Sequence, residues 1–175
     1  RASAVSANGE NISKPEFTTN DWIVATVPGT VLTSYKNIGA VPNPNYADNI
    51  FHISESFFNS NFWYRNEFEV PEGFKQERLF LNFDGINWKA NVYLNGTKLG
   101  LIEGAFIRDM YDVTDCIVPG KNVLAVEIVK NLHIGAVKEK YEKNTDFNGG
   151  ILGADNPTFH ASIGWDWIST IRGRN

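Results

Sequence analysis

From Phe62 to Val129 the apolar residues recur at every second position, and turn-forming residues interrupt that alternation at short intervals. A period of two puts successive side chains on opposite faces of an extended strand, so this pattern excludes a helical body. Phe62, Tyr64, Phe68 and Val70 share one face, with Arg65, Glu67 and Glu69 opposite, until Pro71-Glu72-Gly73 turns the chain. Leu79, Leu81 and Phe83 alternate next, and Asp84-Gly85 stops them. Ala90, Val92 and Leu94 run into Asn95-Gly96, the strongest two-residue hairpin signal because both residues tolerate positive φ. Leu99 and Leu101 lead out of that turn, and Ile107, Tyr111 and Val113 flank an acidic stretch. After the turn at Pro119-Gly120-Lys121-Asn122, the run Val123 to Val129 is apolar on both faces apart from Glu127, which predicts a central buried strand. Strands with turns and no helices between them predict an all-β sandwich or jelly roll.

The flanking regions read differently. Residues 1–20 are small and polar, with turn signals at Asn8-Gly9 and Lys14-Pro15, and are expected to form a loosely held arm. Trp22 to Val27 alternates weakly, as a first short strand would. From Thr30 the apolar positions Val31, Leu32, Tyr35 and Ile38 follow helical spacing, with Thr30 as N-cap and Gly39 past the end. One short helix near residues 30–38 is therefore expected, followed by extended loop over 40–50. Residues 131–160 carry a charged run and the glycines Gly149, Gly150 and Gly153 with no clear strand, a length of loop that is usually functional or disordered.

Composition removes several function classes. The 175 residues hold 16 Lys plus Arg and 20 Asp plus Glu, a net charge of −4. An acidic chain is poorly suited to neutralising phosphates, so neither nucleic acid nor an anionic membrane surface is an expected partner. No apolar run approaches the roughly 18–20 residues that span a bilayer. Cys116 is the single cysteine, which excludes an internal disulfide, and His52, His133 and His160 are scattered without metal-ligand spacing, so no metal and no cofactor is expected. The glycine cluster at 149–153 lacks the strand and helix that a dinucleotide loop needs.

The chemically informative segment is Ile163-Gly164-Trp165-Asp166-Trp167-Ile168. In an extended backbone Trp165 and Trp167 point one way and Asp166 the other. Indole faces stack on the apolar C–H faces of sugars, and a carboxylate accepts hydrogen bonds from two vicinal hydroxyls. The same residues also serve as ordinary core packing beside a paired surface acid. Phe62-Trp63-Tyr64 has the same two readings, sugar platform or core strand.

Several segments, taken in order, resemble the N-terminal sugar-binding domain of glycoside hydrolase family 2, which includes β-galactosidases, β-mannosidases, β-glucuronidases and exo-β-glucosaminidases. They are Val27-Pro28-Gly29-Thr30, Phe62-Trp63-Tyr64-Arg65-Asn66-Glu67-Phe68, Leu81-Asn82-Phe83-Asp84-Gly85-Ile86, Ala90-Asn91-Val92-Tyr93-Leu94-Asn95-Gly96, Gly104-Ala105-Phe106, Tyr111-Asp112-Val113-Thr114 and Asn122-Val123-Leu124-Ala125-Val126. Ile163-Gly164-Trp165-Asp166-Trp167 is most similar to the mannosidase and exo-glucosaminidase branch.

The resemblance implies a galactose-binding-like jelly roll over residues 21–175, preceding an immunoglobulin-like sandwich and a (β/α)8 barrel that are the partners of this domain in whole enzymes. The two catalytic glutamates belong to the barrel, so no catalytic residue is expected here. By the same resemblance Asp166 accepts hydroxyls of the carbohydrate substrate in the barrel's pocket, Trp165 and Trp167 wall or support it, and Asn59 is a second contact. Family members continue into a Gly-Ile-Trp segment and a final strand, so this chain is expected to be a C-terminally truncated fragment of a larger glycosidase. Alternative expectations are a stand-alone carbohydrate-binding module and a domain that only braces the barrel. A secreted or periplasmic location is expected, since the missing initiator Met and the single Cys are compatible with export.

Overall fold

The computed structural model describes residues 5, 7–74, 77–104 and 106–130. Two compact units are distinguished: one built from residues up to Trp22 together with Asn61–Val129, the other from Ile23–Ser60 together with Lys130 among the described residues.

Among its described residues the first unit holds six strands: β1 (Phe62–Val70), β2 (Phe80–Phe83), β3 (Lys89–Leu94), β4 (Thr97–Glu103), β5 (Asp109–Asp112) and β6 (Gly120–Ile128). They form an antiparallel four-stranded sheet ordered β1-β6-β3-β4 and an antiparallel pair β2-β5. Every strand expected from the alternation between Phe62 and Val129 is present, and the all-β sandwich is the observed class. On one face of the large sheet, Phe62, Val126, Ile128, Ala90, Val92, Leu94 and Ile102 are buried. The β2-β5 pair lies against this face: the Tyr111 ring sits over Gly100, where an added Cβ would come within 2.5 Å of the ring. Leaving Gly100 bare admits the phenol ring between the sheets.

The Asn95-Gly96 turn has φ of 49° and 85°, the left-handed pair that a type I′ hairpin requires. Its asparagine does more than turn the chain. Asn95 Nδ2 donates to the Cys116 carbonyl (2.8 Å) and to Asn122 Oδ1 (2.7 Å), while its Oδ1 accepts from the Val123 amide (2.8 Å). Fully buried Asn122 in turn donates to the carbonyls of Val118 and Gly120. The hairpin is thereby stitched to the loop that feeds β6, with its buried polar groups satisfied.

β6 is central, and both its faces are covered. Val123 and Ala125, on the face away from β2-β5, are fully buried. The cover there is a one-turn helix, α1 (Gly9–Ile12), which packs on β3, β4 and β6. The expectation of a loosely held arm over 1–20 fails at Ile12 and Ser13, which are wholly buried. A single turn cannot stand alone in water, so tertiary contacts hold it. Asn8 Oδ1 caps it by accepting from the Asn11 amide (3.0 Å), and Arg65 donates to the carbonyls of Ile12 and Lys14 beyond its end.

The second unit contains α2 (Val31–Asn37), α3 (Asn49–His52) and a 3₁₀ turn (Glu55–Phe58). α2 matches the helix expected near 30–38, with Thr30 Oγ1 accepting from the Thr33 amide and Gly39 at φ 73°. Two expectations fail here. Trp22–Val27 does not form a strand and has no strand partner among the described residues; the Thr26 amide instead donates to Ser34 Oγ (3.1 Å). The supposed loop over 40–50 runs into α3, so the chain has more than one helix. Tyr35 of α2 packs edge-on against Phe57 with ring centroids 5.5 Å apart.

Candidate functional site

Trp165, Asp166 and Trp167 lie outside the described residues. Asn59 is described: it ends the 3₁₀ turn, is exposed, and its Oδ1 accepts a hydrogen bond from Lys130 Nζ at 2.7 Å.

The alternation of β1 divides Phe62-Trp63-Tyr64 between the two faces. Phe62 and Tyr64 belong to the face that carries the core, and Phe62 is buried. Trp63 projects from the opposite face, where it is half-buried and lines a cleft of about 420 Å³ together with Asn8, Gly9, Asn61, Tyr93 and Glu127. Strand register explains the assembly. Trp63 and Asn91 both pair directly with Glu127, from β1 and β3 on either side of β6. Asn61 stands two residues before Trp63, and Tyr93 two after Asn91, so all project to the same side.

Glu127 is the one acidic residue of β6. Asn61 Nδ2 donates to its Oε1 at 2.8 Å and Asn91 Nδ2 to its Oε2 at 3.0 Å, so each carboxylate oxygen has an amide donor. Beside it the Trp63 and Tyr93 rings meet at 5.7 Å between centroids, inclined at 45°. The Tyr93 hydroxyl is held above its ordinary pKa, first by burial and then by the negative charges of Glu127 and Glu10. Lys98 Nζ lies 5.8 Å from the centre of the Tyr93 ring. The sequence signal for this cluster was available: Glu127 is the single polar interruption of an otherwise apolar strand.

Among the described residues no group of three or more His, Cys, Asp or Glu side chains is placed to hold a metal, and no helix is long and apolar enough to cross a membrane. The described histidine, His52, is exposed and pairs with Asp48 at 3.1 Å.

An all-β sandwich with these motifs in this order defines a galactose-binding-like domain. The family model for the glycosyl hydrolase 2 galactose-binding domain-like group matches residues 6–173, and the chain belongs to that family. It is 36% identical over 168 residues to a mannosylglycoprotein endo-β-mannosidase of Lilium longiflorum, covering 92% of this chain and 17% of that protein. It is 29% identical over 134 residues to an exo-β-D-glucosaminidase of Amycolatopsis orientalis, covering 75% of this chain and 13% of the relative. Among solved structures, the β-D-mannosidase of Dictyoglomus thermophilum superposes with a TM-score of 0.67 at 27% identity, covering 90% of this chain and 20% of the other. The Amycolatopsis orientalis exo-chitosanase superposes with the same TM-score at 29% identity, over 74% and 15% of the two chains. The chain thus spans between about an eighth and a sixth of the length of the two curated relatives.

Proposed function

We propose that this chain is the non-catalytic, N-terminal sugar-binding domain of a retaining family 2 β-glycosidase, and that it lends substrate contacts to an active site on a (β/α)8 barrel elsewhere in the parent protein. The observation that carries the reading is the family match across residues 6–173, joined to relatives that are glycosidases several times longer than this chain. Retaining hydrolysis needs two carboxyl groups about 5–5.5 Å apart, one as nucleophile and one as acid and base. In the proposed arrangement the barrel supplies both.

Asp166 is the proposed hydroxyl acceptor, flanked by Trp165 and Trp167, with Asn59 as a second contact. The test is Asp166→Ala in the full-length enzyme. Loss of a hydrogen bond that strengthens in the transition state lowers kcat/KM by a factor corresponding to about 2–4 kcal/mol. A loss of only a few-fold overturns the assignment and leaves a domain that braces the barrel. Micromolar binding of oligosaccharides by this chain alone favours a stand-alone binding module instead.

A further inference from the structure

We propose that the cleft walled by Trp63, Tyr93 and Glu127 is a self-contained binding site for a neutral pyranoside, separate from Asp166. Its volume of about 420 Å³ falls in the range of small-molecule sites and accommodates a single sugar ring. The argument begins with the carboxylate. An ionised carboxylate offers about four lone-pair positions, and Glu127 commits its two oxygens to one amide donor each. Each oxygen keeps a further acceptor position, and the two amides fix the plane in which those positions lie. Two adjacent acceptors in a fixed plane match two vicinal hydroxyls. The Trp63 side chain, directly across the strand pair from Glu127, supplies the apolar surface on which the C–H face of the same ring stacks.

The cleft also discriminates by charge. Glu127 and Glu10 place negative charge at the Tyr93 end, where, after burial, they help to raise the phenol pKa. An anionic sugar is repelled there, whereas a neutral one meets no penalty. Because a monosaccharide has only about a dozen non-hydrogen atoms, affinity is in the millimolar range.

The experiment titrates the 175-residue chain with methyl β-D-mannopyranoside, methyl β-D-glucopyranoside and methyl β-D-glucuronide, following the indole N–H resonances by NMR. The expected result is a saturable millimolar shift of the Trp63 resonance with one or both neutral glycosides, and none with the glucuronide. That readout needs no variant, so it survives any loss of folding on substitution. Glu127→Gln replaces one acceptor with a donor facing an amide donor and weakens binding about tenfold or more. Asp166→Ala leaves binding unchanged, which separates this site from the one proposed above. The proposal is overturned if no neutral glycoside shifts Trp63, if Glu127→Gln binds as the wild type does, if Asp166→Ala abolishes the shift, or if tetramethylammonium binds in place of the glycosides.

Discussion

Arg65 closes the open end of α1 from a neighbouring strand: its Nε donates to the carbonyl of Ile12 at 2.9 Å. Its second terminal nitrogen donates to the Lys14 carbonyl at 3.0 Å, and the first pairs with Glu67 at 2.6 Å. The Arg65 side chain is 5% exposed and its bond to Ile12 is part-buried, whereas the bonds to Lys14 and Glu67 lie at the surface. Arg65→Met keeps most of the packing and removes the donors. The expected cost is about 2–3 kcal/mol in denaturant unfolding, with faster proteolytic cleavage between residues 9 and 14. Unaltered proteolysis there contradicts the clamp.

Gly9 sets two effects against each other. Alanine is favoured over glycine within a helix by about 0.5–1 kcal/mol. A Cβ at Gly9, however, would collide with the Tyr93 ring. Overpacking costs about 1–3 kcal/mol, so Gly9→Ala is expected to destabilise. In a Tyr93→Ala background the same change becomes neutral or stabilising, and a double-mutant cycle reads the coupling.

Asn95→Ala removes three hydrogen bonds and places a residue with a Cβ, without a compensating polar group, at φ 49°. The expected loss is about 2–4 kcal/mol. Asn95→Gly restores the backbone freedom but not the bonds, so it is expected to fall between wild type and alanine. Equal stability of the two variants removes the side-chain network from the account.

The Tyr111 hydroxyl is pushed up to about 12, first by burial and then by its hydrogen bond to Asp109 Oδ2 at 3.0 Å. The folded state therefore holds this proton more tightly than the unfolded chain, whose tyrosines titrate near about 10. The stabilisation is complete below about pH 10 and is lost as pH rises toward about 12. Tyr111→Phe is expected to flatten the fall in stability over that window, as measured by urea unfolding at several alkaline pH values. An unchanged slope shows that other tyrosines dominate.

How much of this was legible from residues alone follows from where each element gets its stability. β1, β3 and β6 were readable because a half-buried or doubly buried strand writes its environment into its alternation. The Asn95-Gly96 turn was readable because few residues tolerate positive φ. α1 was not, since one turn contains no period to detect and its anchors, Arg65 and Tyr93, lie far along the chain. Trp22–Val27 has strand-like residues but finds no strand partner among the described residues, and composition alone does not reveal pairing. The cleft at Glu127 was half visible: the acid stood out, but that Asn61, Asn91 and Trp63 converge on it is a matter of register. The tryptophan-flanked Asp166 lies beyond the described residues and rests on family resemblance.

The double cover of β6 carries a consequence for biosynthesis. Ile12 is made well before Val123 and Ala125, in the last of the six described strands, complete the surface that shelters it. Until then the Ile12 side chain waits without its seat, and closure depends on contacts distant in sequence, which form slowly. The docking of α1 thus seals the sandwich as a late folding event, and weakening Arg65 or Gly9 prolongs the interval in which the nascent domain is open to aggregation.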